Sequence, residues 1–189
     1  MTPADFLVPT YVQMLTALAG WLDKAQAQAQ APEQADALLS ARLAPDMFPL
    51  STQVRFACVQ AQEGLFRLRD EAFPPGLTEL LDEGRNAGEA PGTMAQARTR
   101  IAETLSLVRS LSGDLDGGGP DRAVAHELPT GMIFDLTLDQ YVRDWAIGQF
   151  YFHVMTAYAI LRHRGIELGK ADYVAHMFAY LRPGTAPQG

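Results

Sequence analysis

Apolar residues recur every three and four positions through Leu7, Tyr11, Met14, Leu15, Leu18, Leu22 and Ala25, which predicts an amphipathic helix over about 7–29. Its alternating Ala-Gln tail reads as a solvated helix end bounded by Pro32. Glu33 to Leu43 predicts a short helix. The connector that follows carries Pro45 and Pro49 and is therefore rigid, with Met47 and Phe48 expected to plug the core. A second long helix opens at Ser51 or Thr52 as N-cap and runs to about Asp70, burying Val54, Ala57, Cys58, Ala61, Leu65 and Leu68.

Pro74-Pro75-Gly76 ends that helix, and Leu77 to Glu83 reads as a short helical turn leading into a loop over 84–92. The third long helix spans Thr93 to about Leu111, with Met94, Ile101, Leu105, Val108 and Leu111 inward. Ser112 to Asp121, rich in glycine, reads as the most flexible internal stretch. Between Arg122 and Leu136 the period changes: Val124 and Ile133-Phe134 flank the turn signal Pro129-Thr130-Gly131, a small hairpin or an extended crossover. The fourth long helix starts at Thr137 and ends at Gly165. It is apolar nearly all round, so it should be buried on several sides, in the core or at a subunit interface. A last short helix, Lys170 to Leu181, is expected to pack through Val174 and Phe178.

Four long helices with one short extended insertion make an all-α four-helix bundle. The chain reads as a single domain over 1–182 with a flexible tail over 183–189. With 189 residues, about 70% of the unfolded surface can be buried in one core. Lys+Arg 15 against Asp+Glu 22 gives a formal charge of −7, and the pairs Arg67/Arg69, Arg98/Arg100 and Arg162/Arg164 have no basic block around them, so no basic stripe is present for DNA or RNA. A lone Cys58 excludes an intramolecular disulfide and a cysteine-rich metal centre, which fits a reducing compartment. The N-terminal stretch carries no positive charge before its apolar residues, so neither a signal peptide nor a membrane span is expected, and the cytoplasm is the default location.

The run from Gly148 to Tyr173, Gly148-Gln149-Phe150-Tyr151-Phe152-His153-Val154-Met155-Thr156 and onward, resembles the signature of an uncharacterised family in the DinB-like superfamily of helical bundles. Tyr11-Val12-Gln13-Met14-Leu15 and Arg42 to Leu50 leading into Gln53 agree with it. The resemblance implies a DinB-like bundle of up-down-down-up type, often dimeric. It also implies that many relatives hold a divalent metal on three histidines, one from the second helix and two spaced i, i+4 on the fourth. Some of those relatives transfer thiol cofactors or isomerise maleylpyruvate. In this chain His153 falls at the second position of the fourth-helix pair, but Gln149 stands one turn earlier and the second helix has no histidine, so the metal triad is incomplete.

Gln53 and Gln60 on the second helix, with Gln149, His153 and Thr156 on the fourth, share one face on each helix. Three readings stand. A satisfied core hydrogen-bond network is favoured; a small-molecule pocket is the second; a zinc or nickel site through His153 is the weakest, because one imidazole with two amides is a poor ligand set. His163 reads as a solvated helix cap, His126 as a surface residue, and His176 as a residue that nothing places. Cys58 reads as a buried, inert thiol. The aromatic run Phe150-Tyr151-Phe152 with Tyr141, Trp145 and Tyr158 points to a homodimer interface on the helix over 137–164. The functional expectation is a non-catalytic or small-ligand-binding bundle with a degenerate metal site. The alternatives are a metal-dependent transferase acting on a thiol cofactor and a protein-interaction module.

Overall fold

A computed structural model describes residues 2–113, 115 and 118–185. The helix that the periodicity starts at Leu7 begins earlier, as α1 (Pro3–Gln28). Thr2 accepts from the Asp5 amide while the Asp5 carboxylate accepts from Thr2, and Pro3 occupies the first turn, where its missing N–H costs nothing. Pro9 is accommodated within the helix on its exposed side, so the carbonyl it leaves unpaired faces water.

The short helix over 33–43 is α2 (Pro32–Ala37) followed by a 3-10 turn, Leu38–Ser40. The proline connector does not plug the core as expected: Phe48 is 50% exposed, and Leu39 and Leu50 fill that space instead. The Leu50 amide donates to the Ala41 carbonyl at 2.9 Å and the Arg42 guanidinium donates to the Met47 carbonyl, closing the loop from within and turning Phe48 outward.

α3 (Leu50–Arg69) buries the whole apolar stripe read from its spacing. Neither Ser51 nor Thr52 caps it. Pro49 holds the N-cap position, and the two hydroxyls donate to the carbonyls of Pro91, at 2.6 Å, and Gly84, at 2.8 Å. Those carbonyls belong to the next connection, where the expected short turn is a full helix, α4 (Pro75–Asn86). Its glycine is a packing device: a Cβ on Gly84 would lie 2.5 Å from the Phe56 ring. α5 (Met94–Leu111) spans the expected range and starts from a Thr93/Gln96 capping box. The flexible stretch predicted over 112–121 falls partly on residues 114, 116 and 117, outside the described residues.

The extended insertion is an antiparallel hairpin, β1 (Ala123–Glu127) and β2 (Ile133–Thr137), paired from Ala123 with Thr137 to Glu127 with Ile133 and turned at Gly131, φ +83°. Thr137 then caps α6 (Leu138–Gln140). A π-helical turn, Tyr141–Ala146, joins it to α7 (Ile147–His163), and Gly165 ends the helix at φ +83°. α8 (Lys170–Tyr173) and a 3-10 turn, Ala175–Tyr180, follow. The last segment does not pack through Phe178, which is exposed. Trp21 anchors it instead, stacking on Tyr173 and donating its indole N–H to the Asp172 carbonyl at 3.3 Å, and Met177, Phe178 and Tyr180 beyond are exposed.

Contacts fix the order of the bundle. Tyr11 meets Phe150 and Trp21 meets Tyr158, so α1 and α7 run parallel. Gln53 meets His153, while Tyr141 lies within electrostatic reach of Glu63 and Arg67, so α3 opposes α7. Ser51 meets Pro91 and Gln62 meets Thr104, so α5 runs with α3. The arrangement is an up-down-down-up bundle, the topology that the resemblance implies. Trp21, Tyr11, Tyr141 and Phe150 are its largest fully buried side chains.

Tyr11 reaches across to α3 at Gly64, where a Cβ would lie 2.2 Å from Oη. Gly64→Ala is therefore expected to destabilise the fold by about 1–3 kcal/mol through overpacking. Tyr11→Phe in the same chain is expected to restore much of the loss, because it removes the clashing oxygen. A double-mutant cycle by denaturant unfolding measures the coupling; additive effects would show that the two side chains do not compete for this space.

Candidate functional site

At the start of α3, the Gln53 Nε2 donates to the Phe48 carbonyl at 3.3 Å, which orients the amide. Oε1 is thereby the acceptor, 2.9 Å from His153 Nδ1 on α7. The imidazole therefore carries its proton on Nδ1 and keeps a lone pair on Nε2. Gln53 and His153 are 2% and 8% exposed. Phe56 and Phe152 approach the imidazole edge-on with centroids at 5.2 and 5.3 Å. Burial with no compensating carboxylate pushes the His153 pKa down to about 4, so the ring is neutral at pH 7.

The other residues of the constellation do not join this pair. Thr156 donates its hydroxyl to the Phe152 carbonyl at 2.6 Å, within its own helix. Gln60 lies two turns along α3 from Gln53, with a buried Oε1 that has no hydrogen-bond partner in the protein. Gln149 is half-buried one turn before His153. What the spacing joins into one network of five is a two-residue clasp plus separate polar positions.

The residues present do not fit the divalent metal that the DinB-like resemblance implies. His153 offers a single lone pair, its neighbour across the seam is an amide already held by two hydrogen bonds, and its remaining contacts are phenyl rings. Among the described residues no group of three or more His, Cys, Asp or Glu side chains is placed to hold a metal ion. Cys58 is fully buried and burial pushes its thiol up to about 12, so it remains a protonated thiol.

Two features escape the sequence reading. His126 is not on the surface: it points inward from β1 beside Val124, 4.3 Å in ring separation from Trp145. The strand alternation carried that signal, and its charge-bearing neighbour Glu127 obscured it. Tyr141, its phenol pushed up by burial, lies 5.5 Å from it in ring separation, and Glu63, pushed up to about 7 by burial, is within electrostatic reach of Tyr141. The second feature is a cavity of about 480 Å³ between the start of α1, the end of α3 and α6 with its π turn, lined by Phe6, Leu68, Leu138, Val142 and Ile147, with exposed Asp139 and Arg143 among its polar lining. No periodicity of a single helix reveals it, because several elements and the connection after α5 build it together.

Because the folded pKa of His153 lies below the ordinary 6.5, the unfolded chain takes up the proton first. The stability that the clasp contributes is complete above pH 6.5 and is lost as the pH falls toward 4. Glu63, with a raised pKa, acts with the opposite sign between 4.5 and about 7, so a difference between two chains is the clean measure. Between pH 7 and 5 the wild type is expected to lose about 1–2 kcal/mol more than His153→Gln, which keeps a polar partner for Gln53 without the titration. Denaturant unfolding at both pH values checks it; equal losses would show that His153 is not the buried titrating group.

Comparison with known proteins agrees with this architecture. The family model described as Domain of unknown function (DUF1993) matches residues 4–174. A crystal structure of a DinB family member protein from Shewanella denitrificans is 31% identical, aligned over 97% of this chain and 95% of that one, with a TM-score of 0.69. No curated protein matches the chain. No helix among the described residues is long and apolar enough to cross a membrane. The chain belongs to the DUF1993 family, a family of unknown function within the DinB-like superfamily.

Proposed function

We propose that the protein is a non-catalytic, small-ligand-binding member of the DinB-like superfamily, in which the position that resemblance assigns to a metal is closed by a structural clasp. The observation that carries this reading is the 2.9 Å contact between His153 Nδ1 and Gln53 Oε1. It occupies one imidazole nitrogen, pairs it with an amide from a second long helix that carries no histidine, and leaves a donor set that zinc and nickel disfavour. The cavity beside Phe6, Val142 and Ile147 supports the ligand-binding half, since it is concave, largely apolar and carries an Asp139/Arg143 pair able to orient a polar group. Protein purified without added metal is expected to contain no stoichiometric zinc or nickel by elemental analysis. It is also expected to enhance the fluorescence of anilinonaphthalene sulfonate, a response that Val142→Trp reduces by filling the cavity. About one ion per chain, lost in His153→Ala, would replace this reading with the metal-dependent transferase.

The outer face of α7 favours a second element of the reading, a homodimer. Phe152 is 59% exposed and Met155 39%, three residues apart on one helical face, and the exposed Phe48 stands on Phe56, which approaches His153 as Phe152 does. Apolar side chains clustered in this way around a clasp suit a self-complementary contact between two copies. Light scattering at micromolar concentration is expected to give twice the chain mass, and Phe152→Glu to give the single mass. A wild-type monomer would rule the dimer out.

A further inference from the structure

At the opposite end of the α3–α7 seam, six buried side-chain atoms have no hydrogen-bond partner among the described residues: Tyr11 Oη, Gln60 Oε1, Arg67 Nε, both ring nitrogens of His126, and Trp145 Nε1. They come from α1, α3, β1 and the π turn, and they belong together. Gln60, Glu63, Gly64 and Arg67 share one face of α3. Tyr11 Oη presses on Gly64, Tyr141 lies within electrostatic reach of Tyr11, Glu63 and Arg67, and the His126 ring sits 4.3 Å from Trp145 and 5.5 Å from Tyr141. A single orphaned buried group costs on the order of 1–3 kcal/mol, so a concentration of them in one place calls for an occupant.

The chemistry of the atoms defines that occupant. Arg67 Nε, Trp145 Nε1 and Tyr11 Oη are donors, and His126 adds one N–H in its neutral form. Arg67 lies over the Phe73 ring at 4.9 Å and forms no ion pair with a carboxylate among the described residues. One half-buried cation, whose carboxyl neighbour Glu63 is held toward its neutral form by burial, suits a monoanion; a dianion would need a second cation. Gln60 Oε1 and the remaining imidazole nitrogen are acceptors, which suit a ligand bearing a C–H or hydroxyl edge. The π turn contributes geometrically, since its wider register carries Tyr141 and Trp145 on the wall that faces β1.

We propose that this polar cluster, roofed by β1, binds a small carboxylate anion, held by Arg67 and by the hydroxyl and indole donors of Tyr11 and Trp145. The site is separate from the apolar cavity and from the Gln53–His153 clasp, so it stands or falls independently of them. The groups that face it are Tyr11 from α1, Glu63 and Arg67 from α3, His126 from β1 and Tyr141 from the π turn, with Arg85 of α4 acting on Glu63. Glu63 is the competitor. Burial pushes its carboxyl up to about 7 against the pull of Arg67, so below that pH it is neutral and tolerates an anion, and above it the two negative charges repel. Binding is therefore coupled to proton uptake.

The chain carries two tryptophans, which makes the test residue-specific. In an isotope-labelled full-length sample, the indole N–H of Trp145 is expected to shift saturably on titration with sodium formate or sodium acetate at constant ionic strength. The indole of Trp21, which donates to the Asp172 carbonyl, is expected to stay still. Affinity is expected to be about tenfold weaker at pH 8 than at pH 6, and this dependence is expected to flatten in Glu63→Gln. Tyr11→Phe, which loses no hydrogen bond within the fold, is expected to weaken binding several-fold, and Arg67→Gln to abolish it, with thermal unfolding verifying that both variants fold. A Trp145 shift that chloride reproduces, a shift that never saturates, or unchanged affinity in both variants would overturn the proposal.

Discussion

The constraint on which this structure depends is the near-complete burial of α3. Fourteen of its 20 residues are buried, among them Ser51, Thr52, Gln53 and Arg55, so the helix has almost no face on which a polar side chain can be left to water. Each such group needs a partner from another element. Ser51 and Thr52 supply donors to the carbonyls of Pro91 and Gly84, and Arg55 bonds Ser51 and Glu83, which also takes Arg100 of α5. The polar atoms of α3 thus dictate where α4 and the start of α5 lie, and the apolar stripe alone would leave both free to slide.

The same constraint acts differently at the two ends of the α3–α7 seam. At the Gln53 end the requirement is met: amide and imidazole satisfy each other, and the seam is locked in register by one bond between neutral groups. At the Glu63 end it is not. Tyr11, Gln60, Arg67, His126 and Trp145 bring more buried donors and acceptors than they pair, around a carboxyl whose charge the surroundings disfavour. A fold this small tolerates such an arrangement only where something else offsets its cost, and closely packed aromatic neighbours on Tyr11 and Tyr141 are part of that offset. The hairpin is held over this end by Arg122, which bonds Asp70 at 2.7 Å and the Arg67 carbonyl where α3 ends in a left-handed residue.

Much of the helical frame was legible in the chain because period and caps agree: Thr93 with Gln96, Thr137 with Gln140, and Gly165 closing the last long helix. What was misread follows from one cause. Gly84, Ser51, Thr52 and Phe48 were judged by local propensity, which favours loop, cap and core for them, whereas each is placed by a contact distant in sequence: the Phe56 ring, two carbonyls across the bundle, and a loop closed by Arg42. The same limit governed the site. Spacing put five polar residues on two faces, but only the rotation of α3 against α7 decides that Gln53 alone meets His153. His126 was lost for a related reason, since a five-residue strand gives alternation too short to outweigh a charged neighbour.

The pairing of His153 with a carboxamide also bears on how far fold likeness carries. An imidazole and a carboxamide can satisfy each other across the seam and so support the packing of the bundle, while an amide offers a transition metal a poorer ligand than a second imidazole would. The frame that resembles metal-binding bundles is therefore compatible with a seam that binds no metal, and similarity in backbone says nothing about which of the two a chain carries. Here the distinction rests on one oriented amide: because Gln53 Nε2 is held by the Phe48 carbonyl, its oxygen must face His153, and the imidazole must present a proton there. That proton faces into the seam, where a metal bridging the two helices would require a lone pair.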